Sequence, residues 1–194
     1  IFSDKDRLYL SGYVGKDVFS FNNNDRSFDV KIPWGNTTAT LRWNHVFSSK
    51  LFANTSVIYN DYKFQFSALQ NNFDIRLSSG ISDGNLKTDF DYYASVNHHI
   101  KFGGNYIYHT FTPSTVSGQQ DTTSVRPENA FKKYAHEVAL FLMDDWEISP
   151  HLQLNAGVRY SGFMQIGPYT RYSRDNAGNK TDSVVYGRWR PVIR

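Results

Sequence analysis

Leu152-Gln153-Leu154-Asn155-Ala156-Gly157-Val158-Arg159-Tyr160-Ser161 is the stretch whose pattern decides the fold. Leu152, Leu154, Ala156, Val158 and Tyr160 take every second position, and Gln153, Asn155, Gly157, Arg159 and Ser161 fill the gaps. Side chains of a strand point alternately to its two faces, so one face here is wholly apolar and the other wholly polar. A helix would set Leu152 beside Arg159 and spoil both faces. The segment is a strand.

The same period recurs on both sides of it. Thr37, Ala39, Leu41 and Trp43 alternate with Thr38, Thr40, Arg42 and Asn44. Leu86, Thr88, Phe90 and Tyr92 alternate with Lys87, Asp89 and Asp91, and Phe102, Gly104, Tyr106 and Tyr108 with Lys101, Gly103, Asn105 and His109. Val138, Leu140 and Leu142 alternate less cleanly, because Phe141 and Met143 stand on the other side. In the first strand, about Arg7 to Phe19, Leu8, Leu10 and Val14 compete with Tyr9 and Tyr13; the leucine face is taken as the outer one.

Connections alternate in length. Short turns are expected near Phe47–Lys50, His98–His99 and Glu147–Pro150, and long polar stretches at Asn22–Pro33, Pro113–Lys133 and Gly167–Arg190. Outer-membrane barrels keep short periplasmic turns and long external loops, whereas a soluble sandwich has no reason to put its long loops at one end. Between Leu51 and Asn97 three apolar runs stand where alternation wants two strands. Gln70–Asn72 is therefore read as the tip of a tall hairpin. Residues 73–97 then form one descending strand with a bulge at Ser82–Asn85, where Asp83-Gly84 permits positive φ. At ~3.3 Å per residue that strand spans roughly 80 Å, far more than a lipid-facing band of ~25 Å. A separate turn at Ser82–Asn85 would instead reverse every later strand. The count is about seven strands in up-and-down order, followed by a long excursion over Ile166–Arg194 with a small hairpin near Asp175–Asn179.

Composition agrees. The 194 residues hold 13 Tyr, 15 Phe and 4 Trp, yet mean hydropathy is −0.53, so rings and polar groups are interleaved. Strands between lipid and a wet lumen look like this. A soluble sandwich with aromatic strands does too. No apolar run nears the ~20 residues of a spanning helix, so a membrane reading must be a barrel. A net charge of +3 without Lys/Arg runs gives no case for nucleic acid. Absent cysteine excludes disulfides and thiolate metal sites.

The hairpin Val138–Tyr160, VALFLMDDWEISPHLQLNAGVRY, resembles barrel hairpins of TonB-dependent receptors. DRLYLSGYVGKDVF, FANTSVIYNDYKFQF and HIKFGGNYIYHTFTP resemble other strands of that family, in its Bacteroidota form, and the matches run in order over most of the chain. The resemblance implies an antiparallel up-and-down transmembrane β-barrel of about 22 strands around a plug, importing a scarce nutrient with energy relayed from TonB. Residues 1–194 are then the middle of such a barrel, with the plug and the TonB-contacting N-terminal region outside it. The expected location is the bacterial outer membrane. The expected partners are outer-membrane lipid, the TonB complex, a surface lipoprotein and a small ligand (siderophore-iron, a vitamin or an oligosaccharide). The alternatives are another outer-membrane barrel (porin, adhesin or secretion component) and a soluble glycan-binding sandwich.

No catalytic site is expected. There is no G-x-S-x-G, glycine-rich phosphate loop or H-E-x-x-H, and no cofactor or metal is assigned. His98 and His99 are adjacent and should face opposite ways, and His45, His109, His136 and His151 are scattered. Asp89 and Asp91 share a face at the spacing of an acid–base pair, with Lys87 beside them, but a charged ladder in a wet lumen explains them better. Asp144-Asp145 is assigned to a turn. Lumenal Arg42, Lys87, Asp89, Asp91, Asn105, Asn155 and Arg159 are the candidate ligand or plug contacts. Trp34, Tyr169, Tyr172, Tyr186 and Trp189 are candidate external-loop rings that stack on a ligand. Trp43, Phe102, Tyr106, Tyr160 and Trp146 are assigned to interface girdles.

Overall fold

The computed structural model describes residues 3–23, 28–70, 73–120, 123–125, 132–167, 169–175, 178–186 and 191–193. Seven long strands make one antiparallel sheet, each pairing with its successor: β1 (Asp6–Asn23), β2 (Phe28–Val46), β3 (Leu51–Gln70), β4 (Phe73–Tyr93), β5 (His98–Gln120), β7 (Lys133–Ser149) and β8 (Leu152–Ile166). Short β6 (Thr123–Val125) pairs with the end of β5, and β11 (Pro191–Ile193) pairs with β8. β9 (Tyr169–Arg174) and β10 (Lys180–Tyr186) form a separate hairpin closed around Asp175–Asn179, where Gly178 takes a positive φ of 86°. That hairpin lies where the sequence placed it. β11, by contrast, returns to the main sheet and is not part of the excursion.

One face of the lower half of the sheet is apolar, and among the described residues nothing covers it. The cross-strand row Leu10, Leu41, Val57, Leu86, Tyr106 and Val138 continues in the next rows through Leu8, Trp43, Leu140, Leu142, Tyr160 and Val158. Leu10 is 81% exposed and Val158 72%. Among the described residues the only buried apolar side chains are Ala53, Ala135 and Ala139. A soluble sandwich would bury these leucines under a second sheet. A leucine row open on a single layer belongs against lipid.

The strands run 15 to 23 residues, about twice the 9–11 that cross a bilayer. The short connections, at 47–50, 94–97 and 150–151, share one end, and the tall hairpins rise at the other. Two turns differ in place from expectation: His98 and His99 lie inside β5, and Asp144 and Asp145 lie inside β7. The stretch Asn22–Pro33 is mostly paired strand rather than loop, since β1 continues to Asn23 and β2 resumes at Phe28. The start of Pro113–Lys133, as far as Gln120, is likewise the upper part of β5.

β4 is one continuous descending strand, as proposed, so no later strand is reversed. Its bulge is elsewhere. Asp83, Gly84 and Asn85 pair in register with Asn60, Tyr59 and Ile58, and among the described residues only Gly178 is a glycine of positive φ. The register slips instead between Ser78 and Gly80, opposite Thr115 and Thr112. The extra residue therefore belongs to β5, where Pro113 has no N–H for the ladder.

Glycine resolves the imperfect alternation of β7. Phe141 and Met143 point to the polar face, opposite Gly103 and Gly157. A Cβ on Gly103 would stand 3.0 Å from the Phe141 ring, and one on Gly157 2.7 Å from Met143 Cβ. Space, not turn geometry, requires both glycines.

Candidate functional site

On the lower half of the sheet the second face is polar, and the register gathers it into rows. Tyr9, Arg42, Ser56, Lys87, Asn105, Ala139 and Ser161 form one row. Arg7, Asn44, Asn54, Asp89, Gly103, Phe141 and Arg159 form the next. Asp91 stands one row lower, opposite Lys101, and Asn155 lies opposite Asp145. All seven lumenal candidates thus share one face across β2 to β8.

They do not share one site. Asp89 pairs with Lys87 at 2.8 Å, whereas Asp91 meets His99 Nε2 at 2.9 Å, so no carboxylate dyad forms. His99 also stands 3.8 Å from Asp145, which takes Lys101 at 3.3 Å and a hydrogen bond from the Asn155 amide. Higher up, His109 lies between Asp83 at 2.7 Å and Glu137 at 3.5 Å. Asn44 donates to Asn54, Thr38 donates to Asn60 at 2.8 Å, and Arg159 Nε donates to Ser161 at 3.2 Å. The side-chain oxygens of Asn85 and Asn105 are buried without a partner among the described residues. Each is an acceptor facing the polar side.

His99, Lys101, Asp83, His109, Glu137 and Asp145 were missed in the sequence. Only cross-strand register joins them, and Asp83 stood in the stretch taken for a bulge. His98 and His99 do face opposite ways. His98 joins Asp144 at 2.7 Å and stacks on Trp146 on the apolar face, while His99 joins the polar network. His45 meets Asp6 at 2.6 Å beside Trp43, whose indole donates to the same carboxylate at 2.9 Å. Trp43, Phe102 and Trp146 thus stand near the end of short turns. Tyr106, hydrogen-bonded to His136 at 2.7 Å, lies in the Leu41–Val57–Leu86 row, and Tyr160 lies in the row of Trp43 and Leu140.

Above a transverse row of Val14, Thr37, Asp61 and Ser82 the faces exchange character. The formerly apolar face carries Lys31 with Asp29 at 3.3 Å, Lys63 with Asp61 at 2.7 Å and Arg76 with Asp74 at 2.8 Å. Just above the apolar band, hydrogen bonds from Lys63 and from the Ser82 hydroxyl hold the Asp61 carboxyl below its ordinary pKa. The formerly polar face carries the row Phe19, Ile32, Phe66 and Leu77, with Phe21, Val30, Ala68 and Ile75 above. Trp34 lies directly below that patch, opposite Phe64. It is a strand residue, not a loop residue as expected.

Tyr172 belongs to the β9–β10 hairpin, with Lys180 Nζ 4.1 Å from its ring centre. Tyr169 and Tyr186 pair across that hairpin, and Trp189 lies outside the described residues. Among the described residues no group of three His, Asp or Glu side chains is placed to hold a metal ion.

A family model for the TonB-dependent receptor-like β-barrel matches residues 2–191. No curated protein and no solved structure matches the chain. One apolar face open to lipid, a polar face behind it and short turns at one end are the geometry such a barrel wall needs. The chain belongs to the TonB-dependent receptor-like β-barrel family, whose members are outer-membrane transporters, not enzymes, that work with TonB.

Proposed function

We propose that residues 1–194 form about a third of the barrel wall of a nutrient importer of roughly 22 strands, together with part of its lumen lining and external vestibule. The observation that carries this is the exchange of faces above the Val14–Thr37–Asp61–Ser82 row. Below it the lumen side is a polar, ion-paired wall. Arg42, Lys87, Asp89, Asp91, Asn105, Asn155 and Arg159 there are the groups that touch a plug or a passing ligand. Above it Phe19, Ile32, Phe66, Leu77 and Trp34 line an apolar mouth that holds a ligand by its flat or greasy faces. Tyr169, Tyr172, Tyr186 and Trp189 belong to the same capture surface, and the β9–β10 hairpin is where a surface lipoprotein would meet it. Contact with TonB lies outside these residues.

The ligand is a scarce nutrient: a siderophore-iron complex, a vitamin or an oligosaccharide. Cells carrying the full receptor are offered a ferric catecholate, cyanocobalamin and a maltooligosaccharide in turn. One of them should accumulate, and a protonophore should abolish that uptake. Phe66→Asp with Leu77→Asp should weaken surface binding of the same compound more than 10-fold, since each buried apolar side chain contributes about 1.5–3 kcal/mol. Uptake that survives the protonophore would mean an open pore. Unchanged binding in the double variant would remove the vestibule from the account.

A further inference from the structure

On the lipid side, just above the apolar band, the cross-strand row reads Lys16, Gly35, Lys63, Gly80, Thr112. The two lysines lie on either side of a residue with no side chain. Adjacent strands stand about 4.8 Å apart, so the two stems rise roughly 10 Å from one another over an open slot. Its floor is backbone: a Cβ on Gly35 would meet Gly15 O at 3.1 Å and Lys16 Cβ at 3.8 Å. A Cβ on Gly80 would meet Tyr62 O at 3.0 Å and Lys63 Cγ at 3.7 Å. The slot opens into a groove of about 780 Å³ whose walls include Thr37, Tyr59 and Ser82, with Lys132 at its rim.

Height and charge point to one kind of occupant. From Asp6, level with the His45–Trp43 girdle, to Lys16 the strand climbs about 33 Å along its axis. A tilt of about 40° makes that roughly 25 Å of vertical rise, the thickness of the lipid-facing band. The lysine row is therefore level with the headgroups of the external leaflet. Lys16 has no carboxylate within ion-pair distance among the described residues, and Lys63 is 78% exposed although it touches Asp61. The Lys16 and Lys63 ammonium groups thus stand beside the one carboxylate of Asp61. Below the lysine row come the Val14–Thr37–Asp61–Ser82 row, then Tyr59, then the Leu10–Leu41–Val57–Leu86 row, a surface for acyl chains.

We infer that Lys16, Gly35 and Lys63 form a lateral binding site for the phosphorylated headgroup of an external-leaflet lipid. The phosphate sits between the ammonium groups over Gly35, and the acyl chains lie along the leucine row. A single phosphate offers several acceptor oxygens to donors from both sides. The inference rests on the placement of the barrel in the outer membrane but not on import, because a receptor unable to transport would hold the lipid equally well.

The test uses the full receptor in detergent micelles doped with phosphatidylglycerol or phosphatidylcholine, with lipid retained after dilution read by mass spectrometry. Wild type should retain phosphatidylglycerol in preference. Lys16→Gln and Lys63→Gln should each reduce retention about 5-fold, the weight of one surface cation beside an anionic lipid. Asp61→Asn, which releases Lys63, should raise it. Thr37→Phe keeps every charge but fills the groove, and should abolish retention. All four changes lie on the outward surface, and folding is checked by the heat-dependent gel mobility of the barrel. Retention unchanged in the lysine variants overturns the site. Loss in those variants with full retention in Thr37→Phe overturns it too, in favour of diffuse surface attraction. Displacement by inorganic phosphate at the concentration of the lipid would make it a free-anion site and overturn the lipid assignment.

Discussion

The lower and upper halves of β1 to β4 obey one alternation rule and give it opposite meanings. In the lower half Leu10, Leu41, Val57 and Leu86 point outward while Arg42, Asn54 and Lys87 point inward. In the upper half Lys31, Ser67 and Arg76 point outward while Phe19, Ile32, Phe66 and Leu77 point inward. The backbone is continuous through the change, so the strand does not set the polarity of either face. The surroundings do. Where hydrocarbon lies outside, an outward polar group loses its hydration and the lumen is wet. Where water lies outside, charged pairs are at home there, and apolar side chains are better placed within the mouth.

A charge at mid-height on the outer face attacks that contrast most directly. Leu41→Arg, in the middle of the apolar band, should cost about 2–4 kcal/mol of stability in lipid vesicles. The comparable change Ser67→Arg, on the same face of the same sheet above the band, should stay within about 0.5 kcal/mol. Urea titration of the full receptor refolded into vesicles measures both. Equal costs would mean that lipid does not end at the Val14–Thr37–Asp61–Ser82 row.

A pair of glycines sharpens the comparison of faces within the lower half. Gly157→Ala should cost about 1–3 kcal/mol, because the new Cβ meets Met143 Cβ at 2.7 Å and Leu142 O at 2.8 Å. Gly84→Ala faces open space, with nothing within 4 Å, and should be nearly silent. The same titration reads them. A large loss at Gly84 would restore the bulge at Ser82–Asn85 that the register of β4 denies.

The smallest effect concerns the ladder above the band. The folded-state pKa of Asp61 is depressed, so its contribution is present above the ordinary carboxylate pKa and fades as pH falls through the lower folded value. Asp61→Asn should therefore lose less than about 1 kcal/mol at pH 7, given how exposed its Lys63 partner is. The difference from wild type should narrow below about pH 4. A gap that held constant into acid would assign the role of Asp61 to packing.

Most of the lower half was legible in the chain itself. Leu152 to Ser161, Thr37 to Asn44 and Leu86 to Tyr92 show their faces by period alone, and the seven lumenal candidates followed from those faces. The upper half was misread as loop at Asn22–Pro33 for a physical reason. The apolar phase there slips by one residue, from Ala39, Leu41 and Trp43 to Phe28, Val30, Ile32 and Trp34. A reader holding one outer face fixed sees broken alternation where the strand has entered another solvent. The likeness to the receptor family was also legible, since the Val138–Tyr160 hairpin carries it in consecutive residues.

The amino-acid sequence by itself determined which segments of the lower half are strands, which face of the lower band is apolar, and the family. Those are local facts, set by the period of side chains along one strand. Only the tertiary structure decided which groups meet. His109 between Asp83 and Glu137, His99 between Asp91 and Asp145, and Lys16 and Lys63 across Gly35 are joined by register between strands distant in sequence. Register is fixed by the whole ladder of hydrogen bonds, down to the slip that Pro113 imposes, and no single strand contains it.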